Sequence, residues 1–269
     1  MALMGVLNVT PDSFSDGGLY LDPAAAKRRV DELLGQGADV IDIGGESTRP
    51  GAPPVPADTQ KERIEAALAY AAQQRRALVS VDTSSPEVAR FALDRGAIAI
   101  NDVSCLSDDE LAHEAASKGC SLVIMHARGR MAEMRGFSDA PDDAYDDVVV
   151  DVRRELGAAR DRAVSAGLSE GEIVVDPGLG FMKNAAHSLE LIRRLGELQS
   201  LGAPILVGPS RKSFIAKAAG DAAPADRLGG TIAACLFCAD AGASMLRVHD
   251  VLPVRQALAM RGALRGGNA

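Results

Sequence analysis

Cysteine is scarce in this chain, four in 269 residues, which is too few and too spread out for a disulfide framework. No apolar run approaches the roughly 20 residues of a membrane span, and no charged-then-apolar leader opens the sequence. No basic block offsets the net charge of −8, so broad contact with nucleic acid or an anionic membrane is not expected. A small anionic substrate held by a few local arginines stays compatible with that balance. Cys235 and Cys238 form a C-x-x-C, but they fall on a stretch with helical apolar spacing and read as small core residues. Asn8-Val9-Thr10 matches a glycosylation acceptor by chance, and the expected location is cytoplasmic. No linker, low-complexity tract or break in composition divides the chain, so residues 1–269 are expected to form one domain.

What the sequence does have is alternation. A 47% hydrophobic, 25% charged composition supplies a substantial core. Short apolar runs at 4–9, 39–43, 78–81, 98–100, 121–125, 173–176, 204–207 and 245–248 read as strands buried on both faces. Helical patterns separate them. Asp22-Pro23 and Ser85-Pro86 each place a cap before a proline, and Ser107-x-x-Glu110 reads as a capping box. Tyr145, Val148, Val149, Val152, Leu156, Ala159 and Ala163 mark one face of a long helix. Strands alternating with helices imply a parallel sheet with right-handed crossovers. Eight such units in this length fit a single closed (β/α)8 barrel of the TIM type, and a doubly wound sheet is the runner-up. The first and second βα loops, 10–20 and 44–59, are long and would overhang the C-terminal mouth.

Polar residues collect at the ends of these runs: Asn8, Asp82, Asn101, His126, Asp176, Lys212 and His249. Each alone suits a turn. In a barrel, however, all C-terminal strand ends meet at one rim, where catalytic groups sit. The stretch 173–181 is the sharpest case, with a buried strand ending in Asp176-Pro177-Gly178-Leu179-Gly180-Phe181. A carboxylate there is costly unless something pairs with it. Asp82, Asn101 and Asp176 suit a flat heterocycle carrying amino and ring N–H groups, through paired charge-assisted bonds. Lys212 could donate to such a ring, and Phe181 could pack beside an aromatic partner. Arg247 and His249, at i and i+2 on the last strand, face one side and with Asn8 make an anion site. Asn8 suits Mg2+, which keeps several waters and takes few protein oxygens beside phosphate. His113 and His187 read as surface residues, and no Cys/His cluster has zinc spacing. An aromatic phosphate ester is the substrate class expected from this inventory.

Several of these motifs are long enough to carry a resemblance. The stretch Leu7-Asn8-Val9-Thr10-Pro11-Asp12-Ser13-Phe14-Ser15-Asp16-Gly17-Gly18 closely resembles the first-loop signature of the bacterial dihydropteroate synthases, a pterin-binding family. Gly44-Gly45-Glu46-Ser47-Thr48-Arg49-Pro50-Gly51 is similar to their second-loop signature. Asn101-Asp102-Val103-Ser104, the Asp176–Phe181 motif, Ser210-Arg211-Lys212-Ser213 and Arg247-Val248-His249-Asp250 follow in the family's order. The resemblance implies condensation of 6-hydroxymethyl-7,8-dihydropterin diphosphate with p-aminobenzoate, by dissociative substitution, to 7,8-dihydropteroate and pyrophosphate. It implies a pterin set of Asp82, Asn101, Asp176 and Lys212 lined by Met125 and Gly208. It implies a diphosphate and Mg2+ set of Asn8, Arg247 and His249. A p-aminobenzoate set would comprise Thr48, Arg49, Pro50, Phe181, Lys212 and Ser213, with Asp12 and Phe14 on the closing first loop. Asp82, Asp176, Lys212, Arg247 and His249 would carry the catalysis. Sulfonamides would compete with p-aminobenzoate, and the assembly would be a homodimer.

The chain also departs from the family. Where relatives often carry Gln-Gly after the fifth-strand histidine, it has Ala127-Arg128, and no role carries over to that loop. Three rival readings share parts of the inventory: a methylfolate methyltransferase barrel, a Schiff-base aldolase using Lys212, and a pterin-binding regulator without catalysis.

Overall fold

The computed structural model describes residues 1–11, 18–47, 52–129 and 139–266. The eight strands are β1 (Ala2–Asn8), β2 (Val40–Gly44), β3 (Leu78–Asp82), β4 (Ala99–Asp102), β5 (Ser121–Met125), β6 (Ile173–Asp176), β7 (Leu206–Val207) and β8 (Met245–Val248). They pair in parallel in the order β6-β5-β4-β3-β2-β1-β8-β7. Between β6 and β7 a single bridge, Val175 to Ile205, and the Val175 N–H to Pro204 carbonyl bond of 3.0 Å bring the ends together. The result is a nearly closed (β/α)8 barrel. Strands β1 and β8 are neighbours, with Met4 opposite Arg247.

Alternation along the strands sorts inside from outside. Leu3, Leu7, Ile41, Ile43, Val79, Val81, Ile100, Leu122, Ile124, Ile173, Val175, Leu246 and Val248 point outward and merge with the helices into the main core. Met4, Val40, Val123 and Leu206, with Val174 and Met245, form a separate cluster inside the barrel. Stepping two residues toward the C-terminal end from these inner positions reaches Val6, Asp42, Met125, Gly208, Asp176 and Arg247. The floor of the mouth is therefore set by strand parity.

Helices α1 (Pro23–Gly35), α2 (Ala57–Gln74), α3 (Pro86–Leu93), α4 (Glu110–Ser117), α5 (Val148–Ser165), α6 (Ala185–Arg193), α7 (Ser213–Ala219), α8 (Leu228–Asp240) and α9 (Val251–Leu264) cover the barrel. The cap-plus-proline starts are present: Asp22 accepts from the Ala25 N–H at 3.0 Å, and Ser85 from the Val88 N–H at 3.4 Å. The expected capping box at Ser107 is not. Its hydroxyl donates to Ser104 Oγ at 3.0 Å, and Asp108 instead accepts from the Glu110 N–H at 3.0 Å, so α4 starts without it. Strand β7 is shorter than the apolar run, because Pro204 has no N–H to give a ladder. Cys235 and Cys238 are fully buried on α8, and burial pushes the Cys238 thiol up to about 12, which suits inert core residues. His113 is exposed as expected, whereas His187 is half-buried, its ring accepting from the Asn184 N–H at 3.3 Å. Among the described residues no helix is long and apolar enough to cross a membrane.

Candidate active site

At the C-terminal mouth the inward positions hold Asn8, Asp42, Asp82, Asn101, Met125, Asp176, Gly208 and Arg247, with His249 just beyond β8. Asp176 and His249 thus lie at the same end of the molecule. At the centre is an ionic cluster. Arg247 Nε donates to Asp42 Oδ2 at 2.7 Å, and its Nη2 donates to Asp82 Oδ2 at 2.8 Å. Asn101 Nδ2 adds a bond of 3.0 Å to Asp42 Oδ2. Asp42 Oδ1 is buried without a partner among the described residues.

Burial dominates the electrostatics here. It pushes the Asp82 carboxyl up to about 7, against the pull of Arg247, while Asp42 adds to the push. Burial also raises Asp176, opposed by the Lys212 ammonium and by the Gly178 N–H, which donates to Oδ1 at 2.7 Å. Lys212 is drawn down to about 8 by burial, with Asp176 holding it up. Burial works against the Arg247 charge, yet Asp42 and Asp82 keep its pKa above the ordinary value. His249 falls well below its ordinary value through burial and the cations Arg247 and Arg211, so it is neutral at pH 7. Its Nδ1 lies 3.0 Å from Ser210 Oγ, and Arg29 on α1 donates to its carbonyl at 2.7 Å.

The β6–α6 turn supplies the opposite wall. Gly178 has φ of +66°, and a Cβ there would collide with the His126 carbonyl oxygen, so only glycine fits. Lys212 Nζ donates to the Leu179 carbonyl at 2.5 Å and lies 4.6 Å from the centre of the Phe181 ring. Phe181 packs with Val103, Met125 and Ala127 in a small apolar cluster. At the base of the second loop, Glu46 accepts from the Val55 N–H at 2.7 Å and from Gln60 Nε2 at 3.2 Å. A Cβ on Gly44 would lie 3.5 Å from both Asn8 Oδ1 and the Asp82 Cβ, so the glycine keeps a notch open between these tips. One uncharged oxygen beside such a notch fits an Mg2+ ion that takes its other ligands from water and phosphate. Among the described residues no group of three or more His, Cys, Asp or Glu could hold a metal.

Two readings of the rim change. His126 does not line the mouth: with Leu122 and Ile124 it points outward, fully buried, its Nε2 2.8 Å from Glu155 Oε2 on α5. Nor does Arg247 stand apart with His249, because its pairing with Asp82 joins the anion-holding side to the ring-reading side. Asp42 was not anticipated, although it is the inward position between Val40 and Gly44 on a buried strand. Ser213 is half-buried at the start of α7. Asp12, Phe14, Thr48, Arg49 and Pro50 lie outside the described residues.

The Pterin binding enzyme family model matches residues 4–249. The dihydropteroate synthase of Escherichia coli is 40% identical, over 95% of this chain and 89% of that protein. This chain belongs to the dihydropteroate synthase family. A probable bifunctional folylpolyglutamate synthase/dihydropteroate synthase of Haloferax volcanii is 43% identical over 93% of this chain, which spans 29% of that longer protein. Among solved family structures, the Xanthomonas albilineans dihydropteroate synthase with 4-aminobenzoic acid superposes with a TM-score of 0.90 at 40% identity. The match covers 99% of this chain and 94% of that one. The Yersinia pestis enzyme in a sulfonamide drug complex gives 0.91 at 37% identity, covering 98% and 94%.

Proposed function

We propose that this chain condenses 6-hydroxymethyl-7,8-dihydropterin diphosphate with p-aminobenzoate, releasing pyrophosphate and 7,8-dihydropteroate. The observation that carries the reading is the cluster of buried Asp42, Asp82 and Asn101 with the partly exposed Arg247, facing Asp176 and Lys212 across one mouth. Asp176, Asp82 and Asn101 would read the amino and ring N–H edge of the pterin, with Lys212 donating to a ring acceptor. Met125 and Gly208 would line the slot, the glycine leaving its width free.

Arg247 and His249 would hold the diphosphate, His249 as a neutral donor through the ring nitrogen that does not face Ser210. Asn8 would hold Mg2+, which when bound supplies positive charge to the leaving diphosphate. The methylene C–O bond breaks with its electron pair leaving on the diphosphate. The resulting cationic methylene is favoured by the carboxylates of Asp176 and Asp82, an electrostatic role that needs no covalent nucleophile. The aniline nitrogen then forms the C–N bond and gives up a proton to the departing diphosphate or to water. Phe181, Lys212 and Ser213, with Thr48, Arg49 and Pro50 on the second loop, would hold p-aminobenzoate. Closure of that loop and of the first, through Asp12 and Phe14, would keep water from the cation.

Pyrophosphate release is expected to depend on both substrates, with sulfonamides raising the apparent KM for p-aminobenzoate and leaving kcat unchanged. Steady-state kinetics at several sulfonamide concentrations check this, and a purely uncompetitive pattern would overturn the site assignment. We also propose a homodimer formed through α6, α7 and α8. An apolar cavity of about 280 Å³ opens there, lined by Leu189, Ile192, Phe214, Ala218, Ala234 and Phe237 among others. Phe237 is 49% exposed beside it, an unusual position for a phenylalanine unless a second surface covers it. Sedimentation equilibrium is expected to give twice the 28.0 kDa chain mass, and a monomer at micromolar concentration would refute the dimer.

A further inference from the structure

Lys183 is the largest fully buried side chain among the described residues, and it does not face the mouth. Its Nζ lies 2.8 Å from His126 Nδ1, 3.0 Å from the Phe181 carbonyl, 3.1 Å from that of Gly178 and 3.3 Å from that of His126. Three of these are carbonyl oxygens and the fourth is a ring nitrogen that must accept. His126 can accept at Nδ1 only if its proton sits on Nε2, where Glu155 Oε2 waits at 2.8 Å. Glu155 is fixed in turn by the Arg128 guanidinium, whose Nε lies 3.1 Å from Oε2. A surround made wholly of acceptors selects the ammonium, even though burial draws the amine down to about 7.

A buried cation is expensive to keep, so its contacts indicate what it holds. Two of them are the Gly178 and Phe181 carbonyls, which bracket the turn 178–181, and the other two tie that turn to His126 at the end of β5. The Leu179 carbonyl within the turn goes to Lys212, and the Phe181 ring lies beside the same Lys212 Nζ. One lysine thus fixes the ends of the turn, and the other meets what the turn presents.

We propose that Lys183 is a positioning residue for the p-aminobenzoate side of the site: by gripping the Gly178 and Phe181 carbonyls it sets where the Phe181 ring meets the Lys212 ammonium. It touches no substrate, and the inference rests on the function proposed above. The Lys183→Met variant keeps length and apolar bulk but removes every bond to the turn. In the full chain it is expected to raise the KM for p-aminobenzoate roughly tenfold or more, the loss of about one charge-assisted contact. The KM for pterin diphosphate is expected to rise less, by no more than roughly threefold, since Asp82, Asn101 and Arg247 are untouched and only Asp176 and Lys212 of the pterin set meet the turn.

A merely structural lysine would lower the melting temperature without dividing the two KM values. An equal rise in both, or no rise in either, overturns the proposal. Should Lys183→Met fail to fold, Glu155→Gln decides, because it leaves Lys183 in place and removes the charge that orients His126. The same division, reduced to roughly threefold, is expected from it, and its absence would likewise refute the role of Lys183. Wild-type turnover is measured first. If the wild type releases no pyrophosphate the proposed function fails, whereas normal wild-type kinetics with undivided variant kinetics remove only the positioning role.

Discussion

The Arg247→Ala variant is expected to lose about three orders of magnitude or more in kcat/KM for pterin diphosphate, through two effects that share one side chain. The guanidinium is the cation that Asp42 and Asp82 share at 2.7 and 2.8 Å. Removing one partner of a buried ion pair typically costs about 3–5 kcal/mol, because the remaining charge is left uncompensated. Asp82, already pushed up to about 7 with Arg247 pulling it down, would rise further and be mostly protonated at neutral pH. A protonated Asp82 no longer makes charge-assisted bonds to a pterin edge, so affinity for the unphosphorylated pterin falls as well. The family resemblance puts Arg247 in the diphosphate set, and the bond to Asp82 gives it a part in the ring-reading side as well. Calorimetric titration with 6-hydroxymethylpterin, beside steady-state pyrophosphate release, separates the two effects. Normal turnover by the variant would show that the rim does not work as described.

The Asp176→Asn variant is expected to lower kcat by about 10²–10³, the range seen when one electrostatic stabiliser is removed from a developing charge. Asparagine preserves the shape and can still accept the Gly178 N–H that now bonds Oδ1 at 2.7 Å. What is lost is the negative charge facing both the methylene and Lys212. The pH profile should register this loss independently. Asp176 holds the Lys212 pKa up against burial, which has already drawn it to about 8. Without the carboxylate the charged form of Lys212 is less favoured, its pKa falls, and the alkaline limb of the residual rate moves to lower pH. A limb that stayed in place, with kcat near wild type, would remove Asp176 from the mechanism.

How much of this was legible in the sequence depended on whether a residue's environment is set locally. Strand-end residues such as Asp82, Asn101, Asp176 and Arg247 could be placed at one mouth because parallel βα units bring all C-terminal strand ends together. Position at a tip does not settle direction, and His126 was misplaced for that reason. Counting in twos from Val123 and Met125 puts it on the outer face. The same count along Val40, Asp42 and Gly44 would have put Asp42 inside, but an acid between two isoleucines does not advertise itself as a strand-end residue. Lys183 left no local sign at all. Most lysines beside a glycine-rich turn are solvated, and its partners lie as far as 57 residues away in sequence. The Ser107 box failed in another way, since the hydroxyl found a nearer partner in Ser104.

The join between β6 and β7 has a consequence for how the molecule loses activity when warmed. Every other pair of adjacent strands is laced by a ladder, whereas these two meet at the single bridge of Val175 and Ile205, which includes the bond from the Val175 N–H to the Pro204 carbonyl. Cooperative units with the fewest mutual bonds come apart first. Asp176 ends one side of this join and Lys212 follows the other, so opening there would separate two groups that each hold the other's charged form against burial. Inactivation would then run ahead of loss of helix content, with the rest of the cylinder still standing.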